Sequence, residues 1–123
     1  MATGINLDKA VDDILSEFSV DVSKAAQEAI TEVARESAKK LKQTGPKKTG
    51  KYAAGWTYKV EKGTMTNSAI VYGKKNTYPL AHLLENGHAK RGGGRVAGIV
   101  HIKPVEEWAI AEVETRIREK VGR

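Results

Sequence analysis

The stretch Tyr78–Pro104, reading YPLAHLLENGHAKRGGGRVAGIVHIKP, decides how this chain folds. Leu80, Leu83 and Leu84 follow Pro79 at helical spacing, and Asn86-Gly87 stops them, which predicts a short helix beginning at the proline. His88 to Gly98 then forms a loop rich in glycine and basic residues. Val96 to Ile102 is β-rich, which predicts a strand ending before Pro104. A last helix is expected from Pro104, with Glu106 and Glu107 in its first turn and Val105, Trp108, Ala109, Val113 and Ile117 on one side.

Working back toward the N-terminus, Trp56-Thr57-Tyr58-Lys59-Val60 and Ala69-Ile70-Val71-Tyr72 alternate as two strands around a turn at Lys62-Gly63-Thr64. Before them lies a lysine-rich loop from Pro46 to Gly50. Val22, Ala26, Ala29, Ile30, Val33, Ala38 and Leu41 mark a long helix that ends at Gln43-Thr44-Gly45-Pro46. Its apolar stripe is made of small residues, so it should pack closely against another element. Leu7, Ala10, Val11, Ile14, Leu15 and Phe18 form the stripe of a first helix, with Asn6 as its expected N-cap, and Ser19-Val20-Asp21 breaks the chain between the two helices.

The order predicts an α+β fold: N-terminal helices, a small antiparallel sheet built on a β-hairpin, a short middle helix and a C-terminal helix. At 123 residues the expectation is one domain, with a helical region over 1–45 and the hairpin, short helix, glycine-rich loop, strand and closing helix over 46–123. With 40% hydrophobic and 29% charged residues the composition is that of a folded chain. No apolar run approaches the roughly 20 residues of a membrane span, and the N-terminus has no secretory pattern. The chain has no cysteine, so disulfides, thiolate metal sites and a cysteine nucleophile are excluded, in keeping with assembly in the cytosol.

The formal charge of +6 is unevenly distributed. Residues 1–38 carry eight acids against Lys9, Lys24 and Arg35, whereas residues 39–75 carry ten lysines against Glu61 alone. Such asymmetry suits nucleic acid, an acidic partner, or identical subunits that meet through unlike faces.

The sequence offers four candidate chemistries. His82, His88 and His101 fall within twenty residues, but their spacing matches no zinc motif and no third ligand accompanies His82 and Glu85. Lys90-Arg91-Gly92-Gly93-Gly94-Arg95 has the glycines of an anion loop without the Walker spacing, and reads as a solvated loop that meets a partner. The lysines from Lys39 to Lys75, interleaved with Tyr52, Trp56, Tyr58 and Tyr72, suit diffuse contact with DNA. No nucleophile elbow or histidine-centred constellation points to an enzyme, and no cofactor is expected.

Thr49-Gly50-Lys51-Tyr52 with Trp56, the run Tyr78 to His88 with Glu85 and Gly87, and His101-Ile102-Lys103-Pro104-Val105 leading to Trp108 together resemble a known family. It is the minor tail component or head–tail joining (neck, tail-completion) family of long-tailed bacteriophages, of the "gene product ten" type. Pro79 and Val105 stand where that pattern more often has alanine.

The resemblance implies a virion structural protein, assembled in the bacterial host cytoplasm, whose identical subunits form a ring at the head–tail interface between head-connector and tail proteins. Double-stranded DNA would pass nearby, and no membrane is involved. It also implies that Thr49, Gly50, Tyr52, Trp56, Tyr78, Glu85, Gly87, His101 and Pro104 are structural. Under this reading His88, Lys90, Arg91, Gly92, Gly93, Gly94 and Arg95 form an arm for partner contact, and Lys47, Lys48, Lys51, Lys74 and Lys75 are candidates for the DNA side. The alternative is a small basic DNA-binding protein of a phage or mobile element.

Overall fold

The computed structural model describes residues 4–16, 23–46, 50–62, 67–75 and 77–122. The expected helical positions of Phe18 and Val22, and the expected turn at Gly63-Thr64, lie outside them. Helix α1 spans Asp8–Leu15 and α2 spans Ser23–Thr44. A four-residue helix α3, Lys51–Ala54, leads into the hairpin of β2, Trp56–Lys62, and β3, Asn67–Gly73. Then come α4, Ala81–Asn86, a two-residue strand pair of β4, His88–Ala89, and β5, Arg95–Val96, and finally α5, Ile102–Lys120. The protein is a mixed α+β fold in which α2 lies between the sheet and α5.

The composition of α2 explains that central place. Ala26, Ala29, Ile30, Val33, Ala34, Ser37, Ala38 and Leu41 are all buried, a stripe wide enough to serve two neighbours. Its alanines and serine let both neighbours approach closely. On the sheet side Trp56 is fully buried, and Tyr58 and Val60 pack against the same core, while Lys59 and Glu61 point to solvent. On the other side α5 contributes Ile102, Val105, Ala109, Val113 and Ile117, one strict stripe. Truncating Trp56 to alanine would cost about 3–5 kcal/mol, because a core this tightly packed collapses poorly.

A ladder of ion pairs fastens α2 to α5. Arg116 donates to both carboxylate oxygens of Glu36 at 2.7 and 2.8 Å and to Glu112 at 3.0 Å. One turn on, Lys120 donates to Glu32 at 2.8 Å. The bond from Arg116, with burial opposing it, holds the Glu36 carboxyl below the usual carboxylate range.

Three expectations need correction. The third strand of the main sheet is Ile5–Asn6 (β1), not Val96 to Ile102; it pairs antiparallel with β3 at Ile5↔Val71, giving the order β1-β3-β2. Of the expected run only Val96 is in a strand, β5 (Arg95–Val96), which pairs with His88–Ala89 in a separate small sheet. The final helix begins at Ile102, two residues ahead of Pro104, because a proline in the first turn removes no intrahelical donor. Likewise α4 begins at Ala81, with Pro79 in the preceding turn rather than at the helix start.

Asn6 does serve the start of α1, accepting from the Asp8 N–H at 2.8 Å, but the cap position itself is Leu7. Asp8 in turn accepts from the backbone N–H of Ala69 and the hydroxyl of Ser68, tying α1 to the start of β3, at the turn end of the hairpin.

Candidate functional site

The residues singled out in the sequence fall into three places. The first is a buried latch. The short helix α3, entered through Gly50 at φ 83, turns Tyr52 inward. Its hydroxyl lies 2.7 Å from Nε2 of His101, and its ring meets both His101 and Trp56 edge-on. On the other side of the imidazole, Nδ1 sits 2.6 Å from the Ile99 carbonyl and 3.0 Å from Glu85 Oε1. Both neighbours are acceptors, so Nδ1 carries the proton and Nε2 accepts from the phenol. Burial pushes the Tyr52 pKa up to about 12, so the phenol stays a donor.

Glu85, at the last turn of α4, receives the backbone N–H groups of His101 at 2.7 Å, Ile102 at 2.8 Å and Lys103 at 3.0 Å. These donors open α5, and a carboxylate from another helix caps them, satisfying the charge preference of a helix N-terminus. Burial alone would raise the Glu85 pKa, but the three N–H bonds outweigh it and hold the group below its ordinary value.

Thr77 completes the latch. It is fully buried, donates its hydroxyl to the Tyr52 carbonyl, and packs on Gly55 and Gly73, where any Cβ would collide with its side chain. Sequence reading passed over Thr77, which carries no local signal. His101 is 3% exposed and Tyr52 7%, so this chain of bonds is a buried clamp.

The second place is the arm that the latch supports. Gly87 follows α4 with φ 82 and ψ 178, a conformation open only to glycine, and a Cβ there would strike the Val96 carbonyl. The chain then forms the β4–β5 ribbon, closed by Lys90 N–H to Gly94 O at 3.0 Å. Arg95 donates to the Asn86 carbonyl, and Ile99 N–H to the Leu84 carbonyl at 2.7 Å. Lys90, Arg91, Gly92, Gly93 and Gly94 are exposed, as are Val96, Ile99 and Val100, whereas His88 is half-buried. Tyr78 and His82 also face solvent. Among the described residues no group of three or more His, Asp or Glu is placed to hold a metal ion.

The third place is a surface depression rimmed by Lys51, Lys74 and Lys75 with Ala54 and Gly55. The bond from Lys74 N–H to the Gly55 carbonyl brings residues distant in sequence to one site. Lys47, Lys48 and Thr49 lie outside the described residues.

A second feature missed in the sequence is the fate of the acids in α2. Glu28, Glu32 and Glu36 all pair with Arg116 or Lys120 of the same chain, so they are not an open acidic face. The signal was present as two i, i+4 series of opposite charge, but it becomes meaningful only once α2 and α5 are known to run antiparallel.

Residues 9–87, nearly two-thirds of the chain, match the family model described as "Bacteriophage HK97-gp10, putative tail-component". The chain belongs to this HK97-gp10-like family of bacteriophage tail components. It is thus a phage structural protein, located in the virion and in contact with other phage structural proteins. The match takes in the latch residues Tyr52, Trp56, Thr77, Glu85 and Gly87; His101, Pro104 and most of the arm follow it. No curated protein and no solved structure is significantly similar to the chain. Among the described residues no helix is long and apolar enough to cross a membrane.

Proposed function

We propose that this protein is a ring subunit of the neck or tail-completion layer, joining the head connector to the tail, with no catalytic role. The observation that carries the reading, beyond family membership, is the arm: a ribbon whose root is tied by part-buried bonds and whose basic tip, residues 90–94, is fully exposed. A rigid root with an unpartnered tip suits contact between subunits, because little backbone order is lost when the tip docks. Lys51, Lys74 and Lys75 supply a cluster of positive charge for the DNA that passes through the ring.

Sedimentation velocity and negative-stain imaging of the purified protein, alone and with connector and tail proteins, test this reading. Closed rings support it; a strict monomer that associates with none of them contradicts it. The convergence of Lys51, Lys74 and Lys75 also favours the second reading, a small DNA-binding protein. Tight duplex binding with a steep loss in salt would support that alternative, whereas weak, length-independent binding would leave the ring.

A further inference from the structure

The main sheet has partners along one side and an open edge along the other. Its order is β1-β3-β2, so β3 is central and β2 is an edge strand of seven residues. On the far side of β3, Ile5 and Asn6 pair with Val71 and Ile70. Beyond them the Leu7 N–H reaches the Ala69 carbonyl, and Asp8 accepts from the Ala69 N–H. Along β2, among the described residues, no further strand follows. An edge of this length offers a row of backbone donors and acceptors to any other strand.

The direction of those groups follows from Ala69. Its N–H and carbonyl both point to the β1 side, so its pair with Val60 in the β2–β3 ladder is of the non-hydrogen-bonded kind. Alternation along the strand then turns the N–H and carbonyl of Tyr58, Val60 and Lys62 to the open edge, and those of Thr57, Lys59 and Glu61 to β3. Side chains alternate as well. Tyr58 and Val60 pack against the core, while Lys59 and Glu61 lie exposed on the opposite face. Neither Lys59 nor Glu61 has an ion pair among the described residues.

The strand, reading WTYKVEK from Trp56 to Lys62, is self-complementary about Val60. Laid antiparallel on a second β2 with Val60 opposite Val60, it sets outward groups against outward groups: Val60 bonds Val60, and Tyr58 bonds Lys62 in both directions. The same register sets Lys59 opposite Glu61 on both sides of the centre, in the closer, non-hydrogen-bonded type of pair. A slip of one residue aims outward groups at none of their kind. A slip of two sets Lys59 against Lys59 or Glu61 against Glu61. Charge and hydrogen bonding therefore select one register and one occupant, a second copy of this strand.

We infer that two copies of the free protein pair through β2, antiparallel about a two-fold axis at Val60, joining their sheets into one. The contact is isologous and closes at two copies, so it is not the contact that would build a ring. It covers the open edge in copies outside the particle, where a bare edge invites aggregation.

Sedimentation velocity of the full chain over a range of concentrations tests this, with Lys59→Glu and Glu61→Lys as separate variants. Both side chains are exposed, so the urea midpoint of each variant at dilution should stay near that of the parent. The parent should pass reversibly from monomer to dimer. Each variant alone should dimerise roughly tenfold more weakly, since like charges then face each other twice across the axis. Mixed one to one, the two variants should pair at parent strength, because the acids of one chain meet the bases of the other. A chain carrying both substitutions should also dimerise like the parent, its charges exchanged but still matched.

A parent that stays monomeric throughout would overturn the pairing. Variants that dimerise as the parent does would overturn it too, as would a weakness that survives mixing. Parent rings that both variants form equally well would support the ring reading and overturn this one. Failure to assemble with connector and tail proteins, with the dimer behaving as described, would overturn the ring reading and leave the pairing in place.

Discussion

The root and the tip of the arm are a few residues apart and are built on opposite principles. At the root, Glu85 receives three backbone N–H groups, His101 is held between Tyr52 and Ile99, and Gly87 adopts a conformation no other residue tolerates. At the tip, Lys90 to Gly94 are exposed and closed by backbone bonds of Lys90 with Gly93 and Gly94. The root therefore sets where the tip is presented, and the tip contributes little to the stability of the fold. Mutations should separate the two cleanly, one group lowering stability and the other lowering assembly at constant stability.

The largest effect is expected at Gly87. Gly87→Ala adds a Cβ at φ 82 against the Val96 carbonyl, and should cost about 3 kcal/mol or more, read as a lower urea midpoint. A cost below about 1 kcal/mol would mean that the root yields and the comparison is wrong.

Next is Glu85→Gln, which leaves an amide N–H₂ facing the donors that open α5, at a cost of about 2 kcal/mol. Its pH dependence has a definite sign. The folded pKa of Glu85, like that of Glu36, is depressed, so the stabilisation is complete above the ordinary carboxylate value and is lost as pH falls through the folded one. Urea midpoints of the parent should therefore fall steeply on acidification below about pH 4.3. Glu85→Gln should flatten that fall, and an equal slope in both proteins would remove Glu85 from the account.

Tyr52→Phe is smaller, about 1 kcal/mol, since it leaves the ring packing and removes one hydrogen bond to His101. Smallest in stability is Lys90→Ser with Arg91→Ser, expected within about 0.5 kcal/mol of the parent. The same variant should assemble poorly with connector and tail proteins, and normal assembly would remove the tip from the interface.

Much of this was legible in the sequence, for identifiable reasons. The long helix, the hairpin and the last helix each show a hydrophobic period over many residues, and the helix stop at Asn86-Gly87 is a strong local signal. What escaped was short or non-local. Helix α3 is only four residues long and β1 only two, too short for any period to register. The early start of α5 depends on the Glu85 carboxylate arriving from another helix. Thr77 and the pairing of Glu36 with Arg116 likewise exist only in three dimensions. The three histidines that suggested a metal are dispersed: His82 at the surface, His88 in the ribbon, His101 in the latch.

The most direct test of the central claim is a cryo-electron microscopy map of the phage particle that carries this chain. The account predicts a closed ring of identical copies at the head–tail junction, with residues 90–94 seated against a neighbouring protein. Copies spread along the tail tube, at its far tip, or missing from the particle would contradict it.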